Sequence, residues 1–371
     1  MLALRLARGA HPLVLLRRLM VAAAAAGVGF LLLWTLTYAL SHPDDPASVQ
    51  RLLWCAIPLA ATVYLAVAVA RTDPGTRPRP GLASVGLGPV RLAALAAAST
   101  ALSCTLGSMF ALLVFLHLRG DLSGLPFDGA AAELLDAGQP LPPAGALTLL
   151  ALVPLAATTS AALVLRPRPR PAQPDTEEPA GAPAGLPWGV ALIAVGLAAE
   201  TYASGAPAAG HPTGVLGGWI LTAVGLWLAG PAVTHLSGRL LQSTHPGATR
   251  LLAGRILMEE SRRIGRPLGV VCAVASGALA ATAAYDSAPR PWGPMTALGA
   301  TLIVACTTAT LATAALEGKQ ARSEATTALL ELGAPATTLR NAAALRAAVL
   351  VMVFTPLTLT VGALAATPLA R

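Results

Sequence analysis

Apolar residues fall in nine long runs, and the polar segments between them are short and rich in arginine, proline and glycine. Crossing about 30 Å of hydrocarbon as a helix takes roughly 20 apolar residues, because no water is present there to satisfy exposed backbone groups. The pattern therefore predicts membrane-spanning helices at Leu19–Leu40, Leu52–Ala70, Leu92–Leu116, Gly145–Leu165, Pro187–Ala203, Val215–Leu236, Leu268–Tyr285, Met295–Leu316 and Ala342–Ala366. The fifth is the shortest and holds Glu200. Pro58, Pro154 and Pro356 lie inside three of the runs, so kinks are expected there. Small residues recur every four positions at Ser99, Ser103, Gly107 and Ala111, and again at Ala273, Gly277 and Ala281. Such stripes let backbones approach, so the third and seventh spans are expected to face other helices.

Composition agrees with the pattern. Hydrophobic residues make up 55% of the chain and charged residues 11%, which excludes the charged surface of a water-soluble globule. The fold class is an all-α integral membrane protein with about nine spans. Short cytoplasmic loops retain positive charge, which sets orientation. With the N-terminus in the cytoplasm, all but four of the 25 basic residues fall on the inner side; Arg51, Arg119, Arg290 and Arg371 do not. Nine spans then put the C-terminus outside. The net charge of +8 follows from arginines at helix ends. Anionic lipid of the inner leaflet is the expected counter-charge, and nucleic acid is not expected as a partner.

The first run is too long for the apolar core of a secretory signal and lacks an Ala-x-Ala exit, so it is expected to be a retained helix. Cys55, Cys104, Cys272 and Cys306 lie in predicted spans without CxxC spacing, and are expected to be small buried hydrophobes. The stretch from Arg166 to Pro179 is proline-rich and charged, which predicts an extended inner linker. The outer loop from His117 to Ala144 is acidic overall. These features divide the chain into 1–165, a linker at 166–186, a helix pair at 187–236 and a second unit at 237–371.

An internal repeat supports that division. Leu82-Ala-Ser-Val-Gly86-Leu-Gly-Pro-Val-Arg91-Leu92 recurs about 250 residues later as Leu329-Leu-Glu-Leu-Gly333-Ala-Pro-Ala-Thr-Thr-Leu339-Arg340, and a span follows each copy. With Gly86 set on Gly333, Leu82 meets Leu329 and Val85 meets Leu332. Leu4 to Arg8, then Arg17-Arg18 and a span, parallel Gly254 to Leu257, then Arg262-Arg263, Arg266 and a span. In the second copy Ala325, Leu329 and Leu332 share a helical face, Gly333 is placed to cap the helix C-terminus, and Pro335 suits the first turn of the next helix. A short amphipathic helix, a tight turn and a span are the result. Such an element fits a groove in a soluble partner, or else lies at the lipid headgroups.

The segment Arg322-Ser-Glu324-Ala-Thr-Thr-Ala-Leu-Leu330-Glu-Leu332-Gly333-Ala334-Pro-Ala-Thr-Thr-Leu339-Arg340 resembles the signature of the FtsX/MacB-like permease family of ABC transporters. The resemblance implies two degenerate FtsX-like repeats, the second without its last helix. It further implies a separate cytoplasmic ATPase as partner and a homo- or heterodimer of permeases in a bacterial plasma membrane. In that family this segment is the coupling helix on the ATPase. The role would pass to Glu324, Leu330, Leu332, Gly333 and Ala334, with Leu82, Val85 and Gly86 as the counterpart in the first repeat. Family members carry a large extracytoplasmic domain after the first span, where this chain has about ten residues.

No Gly-x-x-x-x-Gly-Lys-Ser/Thr and no His-Glu-x-x-His occurs, so the expectation is a transport subunit rather than an enzyme, without cofactor or metal. Ser204 and Ser276 lack the preceding glycine of a nucleophile turn. Glu200 keeps a second class open. A carboxylate in hydrocarbon is costly and its default role is in proton or substrate movement; near the end of a span it is instead expected to reach the interface. A secondary transporter or channel using Glu200, and a membrane scaffold that does not transport, are the alternatives.

Overall fold

The structure, a computed structural model, describes residues 12–45, 47–73, 89–122, 126, 128–166, 183–205, 212–243, 247–286 and 293–367. Among the described residues the regular elements are helices: α1 Pro12–Ser41, α2 Ala47–Trp54, α3 Ala56–Thr72, α4 Pro89–Arg119, α5 Pro143–Leu165, α6 Leu186–Gly205, α7 Pro212–Ser243, α8 Ala248–Asp286, α9 Pro294–Ala321, α10 Ser323–Glu331 and α11 Ala336–Ala366. Among the described residues, nine spans are long and apolar enough to cross a membrane, one for each predicted run. The second is α2 and α3 together, joined at Cys55, with Pro58 in the first turn of α3, where its missing N–H costs nothing. The largest difference from expectation is α8, which begins 20 positions before the predicted Leu268. Its charged first half is a helix continuous with the span, and Arg255 and Glu259 pair there one turn apart.

The chain forms two compact units, Met1–Pro171 with Trp292–Thr310, and Ala172–Pro291 with Leu311–Arg371. In the first, α1 packs against α3, α4 and α5. It runs parallel to α4: a side chain at Gly107 would strike the carbonyl of Ala22 and the methyl of Ala25, and one at Gly29 would meet Ala111 at 3.0 Å. Gly107 and Ala111 of the α4 stripe thus do face a helix. Leu302 of α9 fills the space beside Gly27, and Thr62 lies 3.6 Å from the Cys306 sulfur. At the end remote from most arginines, residues 128–139 fold back over the helices. Leu135 is fully buried, Trp34 donates to the Leu134 carbonyl at 3.1 Å, and Ser41 donates to Asp136 at 2.9 Å.

In the second unit α6 and α7, and then α7 and α8, form antiparallel pairs held by backbone contact. Gly189 and Gly196 of α6 meet Gly225 and Gly218 of α7, while Gly230 and Gly238 of α7 meet Gly265 and Gly254 of α8. Glycine at all these places removes the Cβ that would hold the axes apart, and dispersion between close backbones replaces the hydrophobic drive that lipid does not supply. The stripe on α8 behaves as expected, with Ala273 buried and Gly277 under the Trp219 indole. α8 and α11 run parallel. The Cys272 thiol points at the Phe354 carbonyl, 82 positions away, the same separation as Ala25 from Gly107 in the parallel α1–α4 pair. Adding the spacing between Gly86 and Gly333 to Ala25 and Gly107 gives Cys272 and Phe354.

All four cysteines are free and buried. A maleimide reagent is therefore expected to label none of them in the folded protein and all four in denaturing detergent, read by intact mass. Labelling of Cys104 before denaturation would show that the α1–α4 contact is open.

Candidate functional site

The turn predicted around Gly333 has a complete geometry. α10 is nine residues long and ends at Glu331. The Gly333 N–H donates to the Leu330 carbonyl and the Ala334 N–H to the Leu329 carbonyl, both at 3.0 Å, and Gly333 has φ +89°. These two bonds, closing around a residue of positive φ, satisfy carbonyls that a helix end otherwise leaves open. Pro335 then stands at the N-cap of α11, one place earlier than expected, with φ −68°. Two helices therefore meet at an elbow of four residues, Leu332 to Pro335.

The tip of the elbow is exposed. No residue of α10 is buried, Leu330 is 45% and Leu332 84% exposed, and no atom lies within 4 Å of where a Gly333 side chain would start. Glu324 and Ala325 are exposed and Ala334 is half-buried. The apolar side of α10 is thus not spent on this chain's own core. Leu82, Val85 and Gly86, the first copy of the motif, lie outside the described residues.

The base of the elbow is anchored by charge. Arg322, the N-cap of α10, uses no side-chain cap; its guanidinium pairs directly with Glu260 of α8. Glu260 is 9% exposed and rests against Gly318 of α9, where a methyl group would come within 3.1 Å of its Oε1. Arg263, one turn along α8, lies 3.9 Å from Glu317 of α9. Arg346 of α11 is within electrostatic reach of both Glu260 and Arg322. One carboxylate on α8 thereby joins the α9–α10 junction and α11. Sequence reasoning quoted Arg322 only as part of a motif and missed Glu260, because 62 positions separate the partners and neither has a charge pattern that names the other.

Glu200 packs against the neighbouring helix, five residues before the end of α6. It is 3% exposed, its side chain lies along Gly218 of α7, and the Thr222 hydroxyl donates to its Oε1 at 3.3 Å. Glycine on the neighbouring helix makes the room, which a single-helix reading cannot foresee. Among the described residues no group of three or more His, Cys, Asp or Glu is placed to hold a metal ion. No protein-family model matches the chain, and no curated protein or solved structure does.

Proposed function

We propose that the chain is the membrane-spanning permease subunit of an ABC-type transporter or mechanotransmission complex, acting as a dimer of permeases with a separate cytoplasmic ATPase. The observation that carries this reading is the α10–α11 elbow: a helix–turn–helix with no buried residue in its first arm, whose second arm runs without a break through a 31-residue helix. A helix seated in a groove of the ATPase would move as a lever, and its displacement would enter the bilayer through α11. The family resemblance of Arg322 to Arg340 supports the same assignment. So does the spacing shared by the motif copies and by the α1–α4 and α8–α11 contacts, as expected of two FtsX-like repeats. Arginines at the α1 start, α3 end, α8 first half and α11 start support the reading that these ends face the cytoplasm of a bacterial plasma membrane, with anionic lipid around them.

Leu332 provides the test, because at 84% exposure its replacement leaves the fold intact. Burying a leucine in a partner groove contributes about 1.5–3 kcal/mol, so Leu332→Asp is expected to weaken co-purification of a vanadate-sensitive ATPase activity by at least roughly tenfold. Wild-type chain that brings no such activity, or a variant that brings as much as wild type, would sink the proposal. Transport that survives without ATPase and is abolished by Glu200→Gln would instead establish a gradient-driven transporter built around the buried carboxylate.

A further inference from the structure

We infer that the mouth between α1 and α3, at the arginine-rich end of the first unit, binds the phosphate of an anionic phospholipid, with Arg17 as its principal ligand. Arg17 is only 6% exposed, and its Nε and Nη2 are buried without a hydrogen-bond partner. A guanidinium keeps its charge, and two unsatisfied N–H groups on a buried cation are strongly unfavourable unless an acceptor meets them. These are the two donors that lie side by side along one edge of the guanidinium, the edge whose spacing matches two oxygens of a phosphate.

The surroundings select an anion from outside the helices. Arg17 lines a cleft with Val14, Arg18, Val69, Thr72 and Asp73. Asp73 is engaged by Arg18 at 2.7 Å, and the Thr72 hydroxyl is spent on the Val69 carbonyl at 2.9 Å. Residues 1–72 hold acidic groups only at Asp44 and Asp45, beyond the far end of α1, and residues 74–120 hold none. Within residues 1–120, then, Asp73 is the one carboxylate near Arg17, and Arg18 engages it. Depth agrees: counting about 20 residues, or about 30 Å, back along α1 from Tyr38 reaches Arg18. Arg17 therefore lies at the boundary of the hydrocarbon, where lipid phosphates are. Leu13 and Leu16 beside it are 41% and 53% exposed and offer a lane for acyl chains. A zwitterionic headgroup would bring its ammonium toward Arg18, so an anionic one is favoured.

This inference needs only the membrane-spanning helices and stands apart from the ATPase reading. The test is native mass spectrometry of the full chain equilibrated with phosphatidylglycerol or with phosphatidylcholine. Wild type is expected to retain at least one phosphatidylglycerol and tenfold less phosphatidylcholine. Arg17→Gln is expected to lose retention tenfold or more, Arg17→Lys to keep an intermediate level, and Arg91→Gln at the same end to behave as wild type. Size-exclusion profiles matching wild type show that the variants are folded, and the lysine variant keeps the test open if the glutamine variant is not. Equal retention by wild type and both Arg17 variants would overturn the site. Thermal stabilisation by inorganic phosphate equal to that by phosphatidylglycerol vesicles would assign a free phosphate and overturn the lipid.

Discussion

Exchanging Gly333 for proline is expected to lower recovery of the ATPase with the chain roughly a hundredfold while leaving unfolding of the membrane-embedded helices unchanged. The backbone at 333 has φ +89°, and its N–H donates to Leu330. Proline holds φ near −65° and has no N–H, so the elbow cannot close. For alanine the conformation remains accessible at a cost of about 1–2 kcal/mol, which reduces the population of the docking-competent elbow roughly 5- to 30-fold. Asparagine tolerates positive φ better and is expected to lose least. Because the dissociation constant is divided by the fraction of chains in the competent state, the series glycine, asparagine, alanine, proline should fall in that order in a pull-down. The open space around Gly333 means that no packing loss confuses the comparison. A proline variant that recovers wild-type amounts of ATPase would show that the bend is not what the partner reads.

What the sequence made legible follows from what hydropathy measures. Nine apolar runs gave nine spans among the described residues because each comes close to or reaches the thickness of the bilayer core, and Gly333 was legible as a cap because positive φ favours glycine over other residues. The first half of α8 was not legible as part of the span, since Arg255, Glu259, Glu260, Arg262 and Arg263 interrupt its apolar residues, although its i,i+4 pairing favours a helix. Glu200 shows the complementary failure. Its own helix says only that a carboxylate sits in an apolar run; the space beside it belongs to Gly218, and its donor to Thr222, on the next helix. The candidate site divides the same way. Its exposed tip is local and could be read from nine consecutive residues, whereas its anchorage is made of partners brought together only by packing of α8, α9 and α11.

That anchorage yields the second large effect. Reversing Glu260 to arginine is expected to place a fourth positive charge among Arg263, Arg322 and Arg346 and to release the base of α10. Removing one member of a buried ion pair costs about 3–5 kcal/mol; the Arg322 side chain is 28% exposed, so water absorbs part of this and about 2–3 kcal/mol is expected here. The readout is amide exchange over residues 318–326, expected to quicken roughly 30- to 150-fold, since every 1.4 kcal/mol of lost protection is tenfold. ATP-driven function is expected to fall with it, while ATPase binding through Leu332 persists, because the tip of the elbow is still folded but no longer bears on α8. Pairing Glu260→Arg with Arg322→Glu restores opposite charges across the same contact, and the double variant is expected to recover more than half of the lost protection. Arg346 faces both positions and limits full recovery. If the two single substitutions are instead additive, Glu260 and Arg322 do not act as a unit, and movement of the elbow must reach the membrane through α11 alone.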